Sequence, residues 1–385
     1  FANKLIPAFE KKHPGIKVRF NEAFGEMYDG KLLTLIAGKV APDVFHVTQS
    51  NFPAFAAKEI TLPLDEFAAN DVEFRLSDLY PVLTDAMRHK GKLVGLPSDF
   101  STIVMFYNRD LFDKHGVAHP KEGWTWDDFL ATAHKLTKDT DGDGRSDIWG
   151  TANQPAYNRW PAWVWMAGGD IFNKDVTRCT MDSPASIEGF TYYTDLSLKQ
   201  KVAPRPNLLE QDMYQQLFAS SRIGMIADSR YAYKKYLRVR KLGFKWDLAP
   251  MPRGKQHATT YIWGGNCIFR GTKHPKECWE FLKFMTGPEG ADVTLEAGNA
   301  LPPYRVAAEA EIKNPRDKDA PANDRAFLDA IAYGRIAPFP RQYAQFNVAT
   351  TILNESFLGT GSLTPVQACR EFTRKVNEIL DGGVF

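Results

Sequence analysis

Helix-like and strand-like patterns alternate along this chain from its start, and this order restricts the folds that it can adopt. Apolar residues at helical spacing predict a helix over Ala2–Lys12, and alternation of apolar with charged residues predicts a strand over residues 16–20. A second helix is predicted up to Gly38, followed by a short buried strand over residues 42–47. Strand–helix–strand order favours a mainly parallel α/β sheet, whose ligand sites lie beyond the carboxyl ends of its strands.

The alternation continues towards the end of the chain. Thr125, with Asp128 three residues later, matches a capping box at a helix start, and prolines directly after Ser183 and Thr364 mark two further helix starts. Residues 98–101 are predicted as a loop between two core strands. Later strands are predicted over residues 103–107, 222–227, 246–249 and 261–269.

Length and charge exclude several classes of protein. A chain of 385 residues exceeds the size at which a single hydrophobic core stops growing, so two domains are expected. The formal net charge of +2 is spread along the chain, which gives no basic footprint for nucleic acid. No apolar stretch is long enough to span a bilayer.

The cysteines show no spacing typical of a metal or redox motif. We expect them to be buried thiols, and a disulfide between Cys267 and Cys278 is the alternative. The cysteines are Cys179, Cys267, Cys278 and Cys369.

Several short motifs, none of them specific alone, follow one another along most of the chain. They are residues 9–18 (FEKKHPGIKV), 41–45 (APDVF), 62–65 (LPLD), 95–97 (GLP), 107–108 (YN), 124–129 (WTWDDF), 224–225 (GM), 263–265 (WGG) and 300–302 (ALP). In this order and spacing they resemble the family 1 extracellular solute-binding proteins of ATP-binding-cassette (ABC) sugar importers, which are maltose-binding-protein-like.

The resemblance implies an α/β, two-lobed periplasmic-binding-protein-like fold of type II, with a ligand cleft between the lobes. It further implies that the chain crosses a hinge more than once. By this analogy, residues 1–108 with 253–310 form the N-terminal lobe, and residues 109–252 with 311–385 form the C-terminal lobe.

The resemblance also implies partners and a location. The partners are a sugar and the membrane permease subunits of an ABC importer, and the protein is expected to be a monomer in the periplasm or, lipid-anchored, on the extracellular face. Family members usually have a β-strand and a ligand-contacting loop before the first helix. Here the helix begins at once, without a signal sequence, so we expect the predicted site to lack some contacts.

A sugar site needs polar side chains beside aromatic rings, because sugars present hydroxyl groups and C–H faces. Tyr157, Trp160 and Trp163 share helical spacing, and the resemblance favours Tyr157 and Trp160 as sugar platforms. Arg341 is included because relatives contact ligand from this part of the chain. The predicted ligand-binding residues are Asn21, Gln49, Ser50, Asp99, Phe100, Tyr157, Trp160, Trp163, Asp228, Arg230, Trp263, Gly264, Gly265, Asn266, Arg341 and Tyr343.

Several of these candidates have a structural alternative. The aromatic residues of segment 157–163 and Trp263 are also typical of core packing. Asp99 is predicted to accept a hydrogen bond from a sugar hydroxyl group. The alternative is that Asp99 is a solvated carboxylate in a turn. Ser50 and Asp228 are typical of helix caps as well as of ligand contacts.

The sharpest local motif is an aspartate-rich loop over residues 139–147. Carboxylates at loop positions one, three, five and nine, with glycine at six, match most of an EF-hand calcium loop. Position twelve is Gly150 instead of glutamate, so weak binding is expected, and a solvated turn is the alternative. No cofactor is expected beyond this structural calcium. The candidate calcium residues are Asp139, Asp141, Asp143, Arg145 and Asp147.

The sequence therefore predicts a binding protein that takes up a sugar, either a di- or an oligosaccharide, and closes on it by hinge motion. No catalytic residues are predicted, because no hydrolase, dinucleotide or phosphate-loop fingerprint occurs and no opposed carboxylate pair can be identified. The alternatives are a non-sugar solute, such as a glycerol phosphodiester or a polyamine, and glycoside hydrolysis.

Overall fold

The chain folds into two units, each assembled from separate stretches of sequence. Unit 1 comprises the chain up to Phe100 together with Trp263–Arg316, and unit 2 comprises Ser101–Ile262 together with the chain from Asp317. In this computed structural model the described residues are 2–21, 28–38, 40–205, 211–234, 242–298, 300–358 and 363–382.

Helices outnumber strands in the described part of the chain. The α-helices are α1 (Ala2–Lys12), α2 (Tyr28–Ala37), α3 (Phe52–Ala57), α4 (Asp65–Asn70), α5 (Pro81–Ala86), α6 (Arg109–Lys114), α7 (Trp126–Leu136), α8 (Pro161–Met166), α9 (Pro184–Leu198), α10 (Gln211–Ala219), α11 (Arg230–Lys234), α12 (Pro275–Thr286), α13 (Pro288–Ala297), α14 (Arg305–Lys313), α15 (Ala326–Asp329), α16 (Tyr343–Leu358) and α17 (Pro365–Leu380). The strands are β1 (Val44–Thr48), β2 (Arg88–His89), β3 (Lys92–Leu93), β4 (Leu96–Asn108), β5 (Met225–Ser229), β6 (Trp246–Ala249), β7 (Thr259–Ile268) and β8 (Gly334–Ile336).

Unit 1 is built on the pairing of β1 with the second half of β7. The two strands are antiparallel over residues 44–48 and 264–268. Burial alternates along β1, so Phe45 and Val47 point into the core. Phe9 of α1 is fully buried and meets two phenylalanine rings of α12 edge-on, at centroid distances of 4.9 and 5.3 Å. These contacts join the start of the chain to its third quarter.

Unit 2 has β4 as a shared partner of two antiparallel strands. β5 pairs with residues 103–107 of β4, and β6 pairs with residues 105–108. α9 packs against α8, α16 and α17, and α16 packs against α17. Trp160, Trp163 and Phe190 belong to the hydrophobic core of this unit. This unit therefore has an aromatic-rich core of its own.

Several predicted elements are confirmed. α1 has the predicted bounds, β6 matches its predicted segment, and α9 and α17 begin after the predicted Ser183 and Thr364 caps. Thr125 and Asp128 form the predicted capping box, in which the Asp128 N–H donates to Thr125 Oγ1 at 3.2 Å and the Thr125 N–H donates to Asp128 Oδ2 at 2.9 Å. Local hydrogen bonding fixes these helix starts.

The predicted strand over residues 16–20 is wrong. These residues belong to no strand among the described part of the chain. The Val18 N–H instead donates to the Glu10 carboxylate at 2.9 Å, and Lys17 pairs with the same carboxylate. A side chain of α1 thus takes the place of a strand partner, and Phe20 is 55% exposed.

Two other expectations about strands are wrong. Residues 98–101 lie inside β4 and form no loop, because Phe100 exchanges two backbone hydrogen bonds with Leu301, at 2.9 and 3.0 Å. The sheet is not mainly parallel: among the strand registers described, β7 with β8 is parallel and the others are antiparallel. β1 pairs with β7 near the end of the chain's third quarter instead of with the next strand along the chain.

The four cysteines are buried and free, as expected for apolar thiols. Burial raises the pKa of Cys179 and Cys278 to about 11. No helix in the described residues is both long enough and apolar enough to cross a membrane. The predicted lobe boundaries after residues 108, 252 and 310 fall near the unit boundaries but differ from them, and these boundaries stay a prediction.

Candidate functional site

Unit 2 contains a cavity of about 230 Å³. Asp228 is the fourth residue of β5, a strand that is buried along its whole length. The carboxylate is therefore carried into the protein interior, where it requires hydrogen-bonding partners. The residues that line the cavity are Asn158, Arg159, Gln215, Asp228, Ser229, Tyr231, Ala232 and Ile262.

Asp228 accepts hydrogen bonds from three residues. Arg159 Nη2 donates to Oδ1 at 2.6 Å, Gln215 Nε2 donates to Oδ2 at 3.0 Å, and the Ser229 N–H donates to Oδ1 at 2.7 Å. The side chains of Arg159 and Asp228 are only 3% and 1% exposed. A carboxylate fixed in this way presents a rigid polar wall to the cavity.

Other polar atoms of the cavity lining have no hydrogen-bond partner among the described residues. They are Asn158 Oδ1, Arg159 Nε, Arg159 Nη1 and Gln215 Oε1. Buried polar atoms without partners are unfavourable, so this set of two donor and two acceptor atoms suits a ligand that both donates and accepts hydrogen bonds.

Arg230, also a predicted ligand-binding residue, does not line the cavity. Its backbone N–H donates to Ser101 Oγ at 2.7 Å, and its guanidinium donates to Asp324 Oδ2 at 3.3 Å. Both side chains of this pair are 3% exposed. In the described structure Arg230 connects three separate stretches of unit 2 through these hydrogen bonds. Its contact with ligand stays a prediction.

Unit 1 holds a second group of predicted residues, directly after β1 and in the middle of β7. The Gln49 N–H donates to the Trp263 carbonyl at 3.3 Å, and Trp263 meets Phe52 edge-on at 5.7 Å. Gln49 Oε1 and Trp263 Nε1 are buried and have no partner among the residues that the structure describes. The structure thus brings Gln49 and Trp263 together, and their contact with ligand stays a prediction.

The two glycines beside Trp263 are needed by packing within unit 1. A Cβ on Gly264 would lie 2.7 Å from the His46 ring, and one on Gly265 would lie 2.6 Å from the Met87 sulfur. His46 Nδ1 in turn faces Asn266 Oδ1 at 3.4 Å. The close approach of these neighbouring side chains therefore explains why both positions are glycine.

Three more predicted residues of unit 1 are engaged by neighbours. Ser50 Oγ lies 2.8 Å from Thr48 Oγ1, and Ser98 Oγ donates to Asp99 Oδ2 at 3.2 Å. Phe100 is fully buried against Tyr80, so it packs in the core. Asp99 itself lies within β4, so it is not a turn carboxylate.

The aromatic residues of segment 157–163 belong to the unit 2 core or pack against it. Tyr157 donates its hydroxyl to the Pro338 carbonyl at 2.6 Å, and burial raises its pKa well above the ordinary value. Trp160 is fully buried, and Trp163 is 1% exposed among Trp126, Phe129, Tyr192 and Tyr193. Rings packed in this way match the core alternative, and their role as sugar platforms stays a prediction.

The remaining candidates belong to neither group. Asn21 and Arg341 are exposed, and Tyr343 is half-buried against Phe339 at 5.8 Å. No described contact links them to Asp228 or to Trp263.

A family model for the bacterial extracellular solute-binding proteins matches residues 1–292. The chain belongs to that family. An arabinooligosaccharide-binding protein of Bacillus subtilis is 24% identical to this solute-binding protein over 79% of the chain and 70% of the relative. The family implies a periplasmic or extracellular location.

Solved structures show the fold of this solute-binding protein. An ABC substrate-binding protein from Listeria monocytogenes, in complex with cycloalternan, has a TM-score of 0.86 at 28% identity and covers 99% of this chain and 96% of its own. The sugar-binding protein MalE from Xanthomonas citri has a TM-score of 0.84 at 19% identity, with 99% and 94% covered. The predicted α/β, two-lobed periplasmic-binding-protein-like fold is confirmed.

The aspartate-rich loop of this solute-binding protein brings three of its predicted calcium residues together. One carboxylate oxygen each of Asp139, Asp141 and Asp147 lies within 4.8 Å of the others. Backbone N–H groups of Gly142 and Gly144 donate to Asp139 and lower its pKa. Carboxylate oxygens suit calcium, but here they also satisfy the turn itself. Asp143 and Arg145 lie outside this group of three.

Sequence reasoning missed Asn158, Arg159 and Gln215 of this solute-binding protein. A usable signal existed for Arg159, because it lies in an aromatic-rich apolar segment where a cation requires a partner. That partner, Asp228, is 69 residues away in sequence, so spacing alone could not identify it. Gln215 lies on α10 and carries no motif.

Proposed function

We propose that this solute-binding protein captures a neutral sugar, of di- or oligosaccharide size, outside the cytoplasm and delivers it to the permease of an ABC importer. The observation that carries the proposal is the unit 2 cavity, whose lining offers unpartnered donor and acceptor atoms among the described residues. A sugar hydroxyl group donates one hydrogen bond and accepts others, so it can satisfy both kinds of atom.

The charges of the cavity support a neutral ligand. Among the lining residues, the guanidinium of Arg159 and the carboxylate of Asp228 are paired with each other. A phosphodiester would need an uncompensated cation, and a polyamine would need uncompensated carboxylates. The paired charges favour neither of these solutes.

The relatives support the size of the proposed ligand. The Bacillus subtilis relative is named for arabinooligosaccharides, and the Listeria monocytogenes structure holds cycloalternan. We therefore propose a sugar longer than one ring. A ligand screen would identify its monosaccharide residues.

We further propose that the protein catalyses no reaction on its ligand. Family members are binding proteins, and glycoside hydrolysis needs two opposed carboxyl groups. Asp228 is the one carboxylate among the lining residues, and both of its oxygens accept hydrogen bonds. Incubation with oligosaccharides should give no cleavage product by chromatography, whereas turnover lost in Asp228→Asn would contradict the proposal.

A thermal-shift screen tests the sugar assignment. The probes are neutral di- and oligosaccharides of glucose and of arabinose, with a glycerol phosphodiester and spermidine as charged comparators. A ligand at 100 times its dissociation constant stabilises the native state by about 2.7 kcal/mol, so a bound sugar raises the unfolding midpoint clearly. A midpoint that rises only with a charged comparator would contradict the proposal.

Two neighbouring glutamines provide matched variants for the same screen. Gln215→Ala removes a residue that lines the cavity, whereas Gln216→Ala changes an exposed residue next to it. We expect Gln215→Ala to weaken sugar binding at least tenfold and Gln216→Ala to leave it unchanged. Equal effects of the two variants would show that the cavity is not part of the binding site.

A further inference from the structure

The charge balance of the unit 2 cavity rests on a single pair of residues. Arg159 and Asp228 are the charged members among the eight lining residues, and their side chains are joined at 2.6 Å. Both are almost fully buried, so solvent and salt screen them little. Any charge that a ligand brings into the cavity therefore meets two opposite charges that cancel.

Removing one member of the pair would leave the other charge uncompensated. Without the Asp228 carboxylate, the Arg159 guanidinium would face the cavity as a buried cation with Nε and Nη1 unpartnered among the described residues. Without the guanidinium, the carboxylate would face it as a buried anion. Because buried charges demand a partner, each change would recruit a ligand of opposite charge.

We propose that the Arg159–Asp228 pair determines the charge selectivity of this cavity, so that it accepts an uncharged sugar ring and rejects uronates and amino sugars. The inference rests on the proposed function and adds to it which rings are excluded. A cavity of about 230 Å³ is smaller than the 300–1,000 Å³ typical of pockets for drug-sized ligands, and it suits one ring of a longer chain.

The test compares affinities for D-glucose and for two charged probes, D-glucuronate and D-glucosamine, each of which differs from D-glucose at one substituent. Ligand-observed NMR titrations at neutral pH give the affinities for the wild type and for each variant. The ratio between two probes on one protein does not depend on the fraction of that protein that is folded.

Four variants separate the charge pair from general damage. Asp228→Asn and Arg159→Gln each leave one charge, and the double variant Arg159→Gln with Asp228→Asn leaves none. Asp324→Asn is the matched control, because it breaks a second buried pair in unit 2, with Arg230, by the same substitution and outside the lining. Thermal midpoints report the folding of every variant.

We expect Asp228→Asn to raise the glucuronate-to-glucose affinity ratio at least tenfold, and Arg159→Gln to raise the glucosamine-to-glucose ratio. The double variant and Asp324→Asn should keep the wild-type ratios. If Asp228→Asn does not fold, the comparison of Arg159→Gln, with a raised glucosamine-to-glucose ratio, and the wild type, without it, still tests the inference.

Unchanged ratios in the single variants would overturn the inference, as would an equal change in Asp324→Asn or failure of every protein to bind any of the three rings. Failure of the proposed function looks different, because the wild type would then show no midpoint shift with any neutral oligosaccharide. A wild type that is stabilised by an oligosaccharide while the ratios do not move would reject the charge-selectivity role alone.

Discussion

Asp71 joins two distant stretches of unit 1 through one carboxylate oxygen. Trp279 Nε1 and Lys283 Nζ donate to Asp71 Oδ2 at 2.8 and 2.9 Å. Burial opposes ionisation of this carboxyl group, but these hydrogen bonds outweigh burial and lower the pKa of Asp71. The folded protein therefore holds this proton less tightly than the unfolded chain does.

We expect Asp71→Asn to lower the free energy of unfolding by about 1–3 kcal/mol at neutral pH, because a charge-assisted contact is lost. The contribution of Asp71 is present above its ordinary pKa of 3.8 and is lost as the pH falls through the lowered value. Urea unfolding at pH 7 and near pH 3 should show a smaller difference at acid pH. Glu73→Gln, at an 81% exposed side chain that also faces Lys283, should change little.

Trp163 allows the core and platform roles to be distinguished. Because its ring is buried among other aromatic rings, we expect Trp163→Ala to cost about 3–5 kcal/mol of stability by leaving a cavity. Chemical unfolding measures this loss. A variant that keeps wild-type stability but loses sugar binding would instead support the platform role.

The site was predictable only in part at this scale. Gln49, Asp228 and Trp263 could be proposed because each follows or occupies a strand segment with a recognisable pattern. Gln215 could not, since its importance arises from Asp228, which lies in a different part of the sequence. Arg159 carried a signal in its apolar surroundings, but nothing local indicated that Asp228 is its partner. Whether an aromatic residue faces a ligand or the core is likewise decided by its neighbours in space, as Tyr157 shows with Pro338.

Helix starts were predicted well because their hydrogen bonds are local. Thr125 caps α7 through a residue three positions later, so the sequence carries the whole signal. Strand partners are set by distant residues: Phe100 is held in β4 by Leu301, and no local pattern indicates that contact. The strand pairing and the continuity of β4 were missed for this reason.

The caps provide a quantitative prediction. We expect Thr125→Ala to lower the free energy of unfolding by about 1 kcal/mol, because the α7 N-terminus loses its side-chain acceptor. Thr351→Ala is the control, since Thr351 is exposed inside α16, where alanine is the better helix former. Equal losses in the two variants would contradict the capping role.

The aspartate-rich loop gives a metal prediction. After chelation, we expect calorimetric titration to show weak calcium binding, in the millimolar range, and Asp139→Asn to abolish it because Asp139 is one of the three converging carboxylates. Asp175→Asn, an exposed aspartate outside the loop, is the control. Absence of heat at millimolar calcium would leave the loop as a solvated turn.

At the scale of the whole molecule, sugar is predicted to close the two lobes by hinge motion. We expect small-angle X-ray scattering to show a smaller radius of gyration at saturating concentrations of the sugar that raises the midpoint most. A sugar without effect on the midpoint is the control. An unchanged radius under saturation would count against closure.

The pairing of β1 with β7 also matters while the protein is being made. Val44 lies opposite Ile268, so at about 5–20 residues per second roughly 10–45 s pass on the ribosome between the synthesis of the two strands. During that interval β1 has no β7 to pair with, and unit 1 cannot complete its core. Unit 1 of the nascent chain therefore remains incompletely folded until β7 has been synthesised.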